Sequence, residues 1–390
     1  MVTIEAFGKK IEIGRFLIKK FVSKEAPTLI LLAGIHGNEI SGFFAIQNVQ
    51  EQIEAQSLVF KGNLYALSGN LNAISKGIRY ENEDLNRLWS DEKIEVLYHK
   101  NTDLTPEEKE QKELFTIIKD IFATHTGDFF FVDLHTTSSP TTPFLTISDS
   151  INNRCFSAHF PVPVVLGIEE YIQGPLLTYI NEYGYIGVGF EAGQHHDLQA
   201  IKMNEAFIWM ALVHTGCLRL EDVTEYDNYK KTLNQLGGFK KQFFEIDYKY
   251  SIDKDEDFKM KEGYENFQKI AKGEPLALSD AQDVIAPYQG RIFMPLYQSQ
   301  GEDGFFIISR ISKFWLMLSR YVRKLQFHNL LRILPGIKQS KYDAYTLVVN
   351  PKIAKVLTDE IFHLFGYRRK VKEDNKCLYT RRDRKIMPLQ

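Results

Sequence analysis

Apolar positions follow two periodicities that alternate along the first 220 residues. The runs Leu29–Leu32 and Phe129–Leu134 are continuously apolar apart from one acid, Asp133, and read as strands covered on both faces. Asn63–Leu67 and Ile186–Phe190 read as further short strands. Between them the spacing turns helical, from about Ile40 to Gln56, from Pro106 to about His125, and from Leu198 to about His214. Thr105-Pro-Glu-Glu108 carries the signature of a capping box, with proline in the first turn, and Gly216 stops the last helix. Strands alternating with helices predict an α/β domain with a largely parallel sheet. Ahead of it, Ile4, Ile11, Ile13, Phe16, Ile18 and Phe21 alternate around Gly8 and Gly14, predicting edge hairpin strands. Gly69 to Trp89 is rich in Asn and Gly and predicts mostly loop.

The pattern changes near residue 220. Residues 221–235 are polar and linker-like. Phe239–Tyr250, Pro275–Leu278 and Val284–Ile308 read as short strands broken by Gly and Pro, which predicts a small β domain over 221–310. From Ile311 to Leu334 a basic amphipathic helix is expected, ended by Pro335-Gly336. Its apolar side, with Trp315, Leu318, Val322, Leu325, Leu330 and Ile333, is expected to pack on the body. Another helix is expected over Pro351–Phe365, and the last 20 residues are expected to be poorly ordered. The chain thus divides into 1–220, 221–310 and a basic, partly helical extension, 311–390.

Charge sharpens that division. The net formal charge of -2 conceals 18 Lys/Arg against 6 Asp/Glu in residues 311–390, a net of +12, and a net of -14 in the rest. Opposite charges on two parts of one chain point to their mutual attraction, within the chain or between subunits, so no nucleic-acid partner is expected and a homo-oligomer is compatible. The N-terminus has no basic-then-apolar leader and no apolar run reaches spanning length. Cys155, Cys217 and Cys377 are far apart and odd in number, which argues against a disulfide framework and fits a cytoplasmic location.

The candidate chemistry sits where strands end. His36 and Glu39 occupy the glycine-broken turn after Leu32, three residues apart, a spacing that projects both to one side. His135 directly follows the run Phe129–Leu134. Two imidazoles and one carboxylate make three ligands, leaving a fourth zinc position open. Glu191, at the end of its own strand, is the candidate to take a proton from water and hand it to a leaving nitrogen. Arg79 is available to an oxyanion, and Asn86 with Arg87 to a substrate carboxylate. Functional groups in such sheets gather at the carboxyl ends of strands, so these residues are expected to share one rim.

His36-Gly-Asn-Glu39, Arg79-Tyr80, Asp84-Leu-Asn-Arg87, Asp133-Leu-His135 and Gly189-Phe-Glu191 together resemble the aspartoacylase/succinylglutamate desuccinylase family, a branch of the zinc carboxypeptidase-like fold. The resemblance covers about residues 25–220, and Ala286–Gly301 resembles the β domain of bacterial members. It implies a mixed, mainly parallel sheet flanked by helices, one Zn2+ on His36, Glu39 and His135, and removal of an acyl group from a small N-acyl amino acid. Glu191 then activates water, Arg79 steadies the tetrahedral intermediate, and Asn86 and Arg87 hold a substrate carboxylate. Asp133 would orient a zinc ligand or cap its own turn, and Asp84 would support Arg79 or Arg87. One departure stands out. Aspartoacylases preferring N-acetylaspartate carry a further Arg shortly before the catalytic Glu, whereas Cys155 to Phe190 contains no Arg or Lys. A neutral or larger acyl chain fits that stretch. The alternatives are a zinc carboxypeptidase acting on peptides or cell-wall fragments, favoured by an open groove, and a catalytically idle binding protein.

Overall fold

The computed structural model describes residues 1–100, 102–235, 241–354, 359–373 and 376–389. A hairpin of β1 (Val2–Ala6) and β2 (Lys9–Ile13) opens the chain, followed by β3 (Phe16–Lys20), β4 (Thr28–Ala33), α1 (Ser41–Ala55), β5 (Asn63–Ser68) and α2 (Leu71–Lys76). Next come α3 (Asp91–His99), α4 (Pro106–Thr124), β6 (Phe129–Thr137), β7 (Phe144–Ile147), α5 (Ile151–Ser157), β8 (Val164–Leu166), α6 (Leu176–Glu182), β9 (Ile186–Gln194) and α7 (Leu198–His214). Strands β5, β4, β6 and β9 lie side by side and parallel, the arrangement the strand–helix alternation predicts.

Both faces of this sheet are covered, which is why its strands are apolar without alternation. Leu29, Leu31 and Ala33 of β4 join Phe43 and Ile46 of α1 and Trp209 of α7 in one core, while Ile30 and Leu32 join Leu114, Phe115 and Ile118 of α4 in another. Each such side chain contributes about 1.5–3 kcal/mol on full burial. Helix α4 starts at the expected capping box, in which Thr105 Oγ1 accepts from Glu108 N (3.2 Å) and the Glu108 carboxylate accepts from Thr105 N (2.8 Å).

The middle of the chain contains α8 (Tyr226–Gln235), β10 (Phe243–Ser251), β11 (Phe258–Met260), β12 (Lys269–Ile270), β13 (Pro275–Ser279), β14 (Gln282–Ile285), β15 (Gly290–Phe293) and β16 (Asp303–Ile311). The start of the strand expected from Phe239 lies outside the described residues. Where a linker was expected, α8 is a helix: Tyr229 stacks on Trp209 with ring centroids 5.7 Å apart, and Leu233 is buried. Tyr226 packs against the same core, so three apolar anchors hold a polar helix, and the sequence average hides them. Strand β10 pairs parallel with β8, so that β10, β16, β15 and β12 extend the main sheet to eleven strands. β11, β13 and β14 form a separate three-stranded sheet.

The extension holds α9 (Lys313–Lys324), β17 (Ile337–Gln339), β18 (Thr346–Val349), α10 (Asp359–Leu364), β19 (Tyr367–Glu373) and β20 (Lys376–Arg381). It differs from expectation in three ways. Helix α9 ends ten residues early, because Gln326 adopts a left-handed conformation (φ 56°) before a 3-10 segment, Phe327–Ile333. Most of its apolar side faces outward: the buried residues of α9 are Ser319 and Arg323, and Leu316 is half-buried against the main core. Among the described residues of the last 20, β20 pairs with β18 and β19 in an antiparallel sheet, completed by β17, around Leu347, Phe362 and Tyr379. Of the helix expected over Pro351–Phe365, α10 is present and residues 355–358 lie outside the described residues.

The expected attraction between body and tail takes the form of buried ion pairs. Asp149, between β7 and α5, meets Arg154 Nε at 2.6 Å, Arg323 Nη2 at 3.0 Å and Arg368 Nη2 at 2.8 Å. Arg382 lies 3.3 Å from Glu169, and His363 lies 3.1 Å from Glu170. Among the described residues no helix is long and apolar enough to cross a membrane.

Candidate metal centre and active site

Parallel register brings the strand ends together. Ala33 pairs with Leu134, and His135 pairs with Glu191, so β4, β6 and β9 deliver their following residues to one rim. The chain turns sharply after β4 at Gly34, whose φ of +70° favours glycine. Gly37 is needed for a different reason: a Cβ there would sit 2.2 Å from the Ala73 carbonyl carbon, so the turn bearing His36 lies directly on α2. Gly37→Ala is therefore expected to destabilise the protein by about 1–3 kcal/mol, as overpacking does, and to weaken metal retention. A denaturant melt with a metal assay checks this; a wild-type midpoint would show that the turn has slack.

His36, Glu39 and His135 are all buried, and one ligand atom from each lies within 4.8 Å of the others. His36 Nδ1 is 2.8 Å from Glu39 Oε1, and His135 Nδ1 is 3.0 Å from Glu39 Oε2. The opposite ring nitrogens meet two further acids. His36 Nε2 is 3.1 Å from Asp84 Oδ1, and His135 Nε2 stands 2.8 Å from Asp133 Oδ2, a close charge contact without hydrogen-bond alignment. Asp133 reaches the ring because residues two apart on a strand share a face. Carboxylates behind imidazoles fix tautomer and ring orientation in metal sites. Thr136 N donates to Glu39 Oε2 at 2.9 Å, fixing the carboxylate from below.

These groups form a concentrated negative field. Burial pushes Glu39 up, yet His36 and His135 hold it well below the usual carboxylate range. Burial pushes His135 down, yet Asp133 and Glu39 hold it well above the usual imidazole value. Burial raises Glu191 to about 8, with Glu39 and Asp133 adding to it against His135. Glu191 Oε2 is buried without a hydrogen-bond partner. A donor set of two imidazoles and one carboxylate, with an unbonded carboxylate oxygen on the neighbouring strand, fits a divalent cation with an open position.

Arg79, Asn86 and Arg87 line the same cavity, of about 130 Å³. Arg79 lies 3.2 Å from Asp84 and 3.4 Å from Glu39, and its backbone carbonyl accepts from Gly37 N, tying it to the His36 turn. Asn86 Oδ1 accepts from Leu176 N at 3.0 Å, so its NH2 is the group left to donate. Arg87 Nη2 is 2.9 Å from Asp303. Asp84 therefore braces His36, Arg79 and, at 3.7 Å, Arg87.

Several cavity residues escaped the sequence reading. The segment after β15 crosses the mouth: Asn38 Nδ2 donates to Gln298 Oε1 (3.0 Å), Arg79 N to Gln300 Oε1 (3.2 Å), and Gln300 Nε2 to Tyr80 O (3.0 Å). His195 bridges this wall to β6, with Nε2 3.2 Å from Gln298 Oε1 and Nδ1 2.7 Å from Thr136 Oγ1. It lines the cavity, and His196 is exposed. Tyr297 packs inside the β region, donating to Lys261 O at 2.8 Å. Glutamines and an acid 216 to 260 positions from their partners carry no local signal; only the tertiary fold brings them in.

The stretch without Arg or Lys supplies Ile168, Ile172 and Leu177 to the cavity, and Ile147, Met294 and Phe306 complete an apolar wall. Among the described residues, the only guanidinium groups in the lining are those of Arg79 and Arg87.

Residues 25–211 match the family model described as the succinylglutamate desuccinylase/aspartoacylase catalytic domain. A succinylglutamate desuccinylase of Chromobacterium violaceum is 31% identical over 114 residues, 29% of this chain and 32% of that protein. Another, from Photorhabdus laumondii, is 30% identical over 139 residues, 34% of this chain and 40% of the relative. The chain thus spans a third to two-fifths of the length of these curated relatives. The crystal structure of a succinylglutamate desuccinylase/aspartoacylase from Rhodobacter sphaeroides superimposes with a TM-score of 0.54 at 15% identity, covering 75% of this chain and 88% of that one. At that identity the likeness speaks for the fold.

Proposed function

Residues 25–211 place the chain in the succinylglutamate desuccinylase/aspartoacylase family, and on that premise we infer that the protein is a zinc-dependent amidohydrolase removing the acyl group from an N-acyl amino acid. The observation that carries this reading is the paired histidines, each turning one nitrogen to Glu39 and the other to its own acid, beside the unbonded Glu191 Oε2. His36, Glu39 and His135 would hold the zinc. Bound there, zinc supplies Lewis-acid polarisation and lowers the pKa of water.

The chain's own groups do the rest. Glu191 accepts a proton from the attacking water and passes it to the amide nitrogen as the C–N bond breaks. Arg79, fixed between Asp84 and Glu39, faces the negative charge developing on the carbonyl oxygen. Asn86 and Arg87 hold the carboxylate of the amino-acid half. The division of labour follows the three parts of the chain: 1–220 carries the chemistry, 221–310 supplies the wall at Met294–Asp303, and 311–390 braces the body. That wall favours a small substrate over a peptide laid in an open groove, and so favours deacylation over carboxypeptidase action.

With Arg79 given to the oxyanion and Arg87 to the amino-acid carboxylate, no guanidinium among the described residues of the lining is left for a second carboxylate, and Ile147, Ile168, Ile172, Met294 and Phe306 give an acyl chain apolar contacts, so the acyl group is a neutral chain. A hydrolysis screen of the zinc-loaded protein against N-acetyl, N-succinyl and longer N-acyl amino acids tests the proposal. Turnover of neutral acyl substrates above N-succinyl is expected. Inactivity on all of them with release of C-terminal residues from peptides would support the carboxypeptidase alternative. Asp133→Asn is expected to weaken zinc affinity about 10–100-fold through the orientation of His135, read in a competition titration against a chelator. Unchanged affinity would reduce Asp133 to a cap of its own strand.

A further inference from the structure

Helix α9 is held to the body by two buried polar residues and a half-buried leucine, Leu316. Ser319 and Arg323 are 3% and 4% exposed, and Ser319 Oγ donates to Leu364 O (3.0 Å) while Arg323 Nη2 donates to Asp149 Oδ2 (3.0 Å). Phe314, Met317, Tyr321 and Leu325, spaced three and four apart, are 65%, 59%, 62% and 62% exposed, with Trp315 beside them at 54%. Residues at this spacing make one stripe along a helix. Phe327, Leu330 and Ile333 continue the exposed apolar surface past the helix end. A water-facing stripe of this kind marks an interaction site, because leaving such side chains in water forfeits their burial.

The charge around the stripe selects the occupant. Ile311 to Tyr342 contains no Asp or Glu. Lys313, Arg320, Lys324, Arg332, Lys338 and Lys341 are all exposed, and none forms an ion pair with a carboxylate among the described residues. Three other arginines of the extension are different: Arg323, Arg368 and Arg382 are consumed inside the molecule by Asp149 and Glu169. A two-fold contact between copies through this face would bring two sets of unneutralised cations together. A nucleic acid would satisfy the cations and leave the apolar stripe in water. An anionic bilayer surface takes both, its acidic headgroups facing the cations and its acyl boundary accepting the aromatic and aliphatic side chains.

We propose that the α9 face, from Lys313 through Ile333, is a docking surface for anionic lipid membranes, held to the body by the Arg323–Asp149 pair. It lies outside the residues assigned to catalysis and stands independently of the deacylase reading. The full-length protein is mixed with phosphatidylcholine vesicles, with or without phosphatidylserine, and sedimented. Co-sedimentation with the anionic vesicles, falling as salt is raised, is expected. Trp89 and Trp209 are buried, so Trp315 reports the contact by a blue-shifted emission.

Lys313→Glu/Arg320→Glu/Lys324→Glu is expected to weaken binding about 100-fold or more. Phe314→Ser/Met317→Ser is expected to weaken it more than about tenfold. All five side chains are exposed, so both variants retain the native melting curve, and the deacylation rate on a soluble substrate is unchanged. No sedimentation with anionic vesicles at low salt overturns the proposal. So does a stable dimer in solution whose Trp315 emission is already blue-shifted without lipid, which would assign the face to a second copy. Vesicle binding indifferent to both variants, or binding confined to nucleic acid, likewise overturns it.

Discussion

Replacing Glu191 by Gln is expected to lower kcat by about 10²–10⁴-fold, the range for loss of a general acid–base, while the protein keeps its zinc and its fold. The amide matches the carboxylate in size and removes only the ability to accept the proton. Glu191 sits at the end of β9 opposite His135, is buried, and has an unbonded Oε2. It is beside the three candidate ligands without being counted among them, which separates its role from theirs. Steady-state kinetics on a neutral N-acyl amino acid, with zinc measured on the same sample, checks this. Undiminished turnover would remove Glu191 from the mechanism; loss of zinc along with activity would make it a ligand.

The largest expected effect on stability comes from Asp149. Asp149→Asn is expected to destabilise the fold by about 3–5 kcal/mol, because breaking a buried ion pair leaves uncompensated charge. Here Arg154 would lose its paired acid, and Arg323 and Arg368 would keep longer pairs, to Asp383 and Glu170 at 3.6 Å each. Burial pushes the Asp149 carboxyl up, yet these three cations hold it well below the usual range. A folded-state value below the unfolded one gives stability that is fully present above the unfolded pKa, about 4, and is lost as pH falls through the folded value. The gap between wild type and variant is therefore expected to stay constant from about pH 5 to 8 and to close only in acid. Denaturant melts at several pH values check both points. A variant as stable as wild type at pH 7 would show that the extension is held without help from the Asp149 pairs.

The rim of the sheet was legible because its signals are local. A continuous apolar run ending in His135 or Glu191, and a glycine-broken turn carrying His36 and Glu39, need only the rule that parallel strands share a carboxyl edge. What was not legible depends on distant partners. Gln298 lines the cavity and Gln300 holds the Arg79–Tyr80 backbone from more than 200 positions away, and no local pattern assigns either glutamine its place. The continuation of the sheet from β8 to β10 was hidden for a related reason: short strands broken by Gly and Pro read as a unit of their own. Helix α9 is the instructive case. Its periodicity correctly gave an amphipathic helix, and hydrophobicity alone would bury the wrong side. Arg323 and Asp149, 174 positions apart, decide which side faces inward.

The central claim is that this cavity performs hydrolysis with one zinc held by His36, Glu39 and His135. The direct test is to strip the protein of metal, return zinc in sub-stoichiometric steps, and follow hydrolysis of a neutral N-acyl amino acid. The account predicts activity rising linearly to a plateau at one zinc per chain, and no such rise in a His135→Ala variant. Full activity in the stripped protein, or a plateau reached equally by His135→Ala, would contradict it.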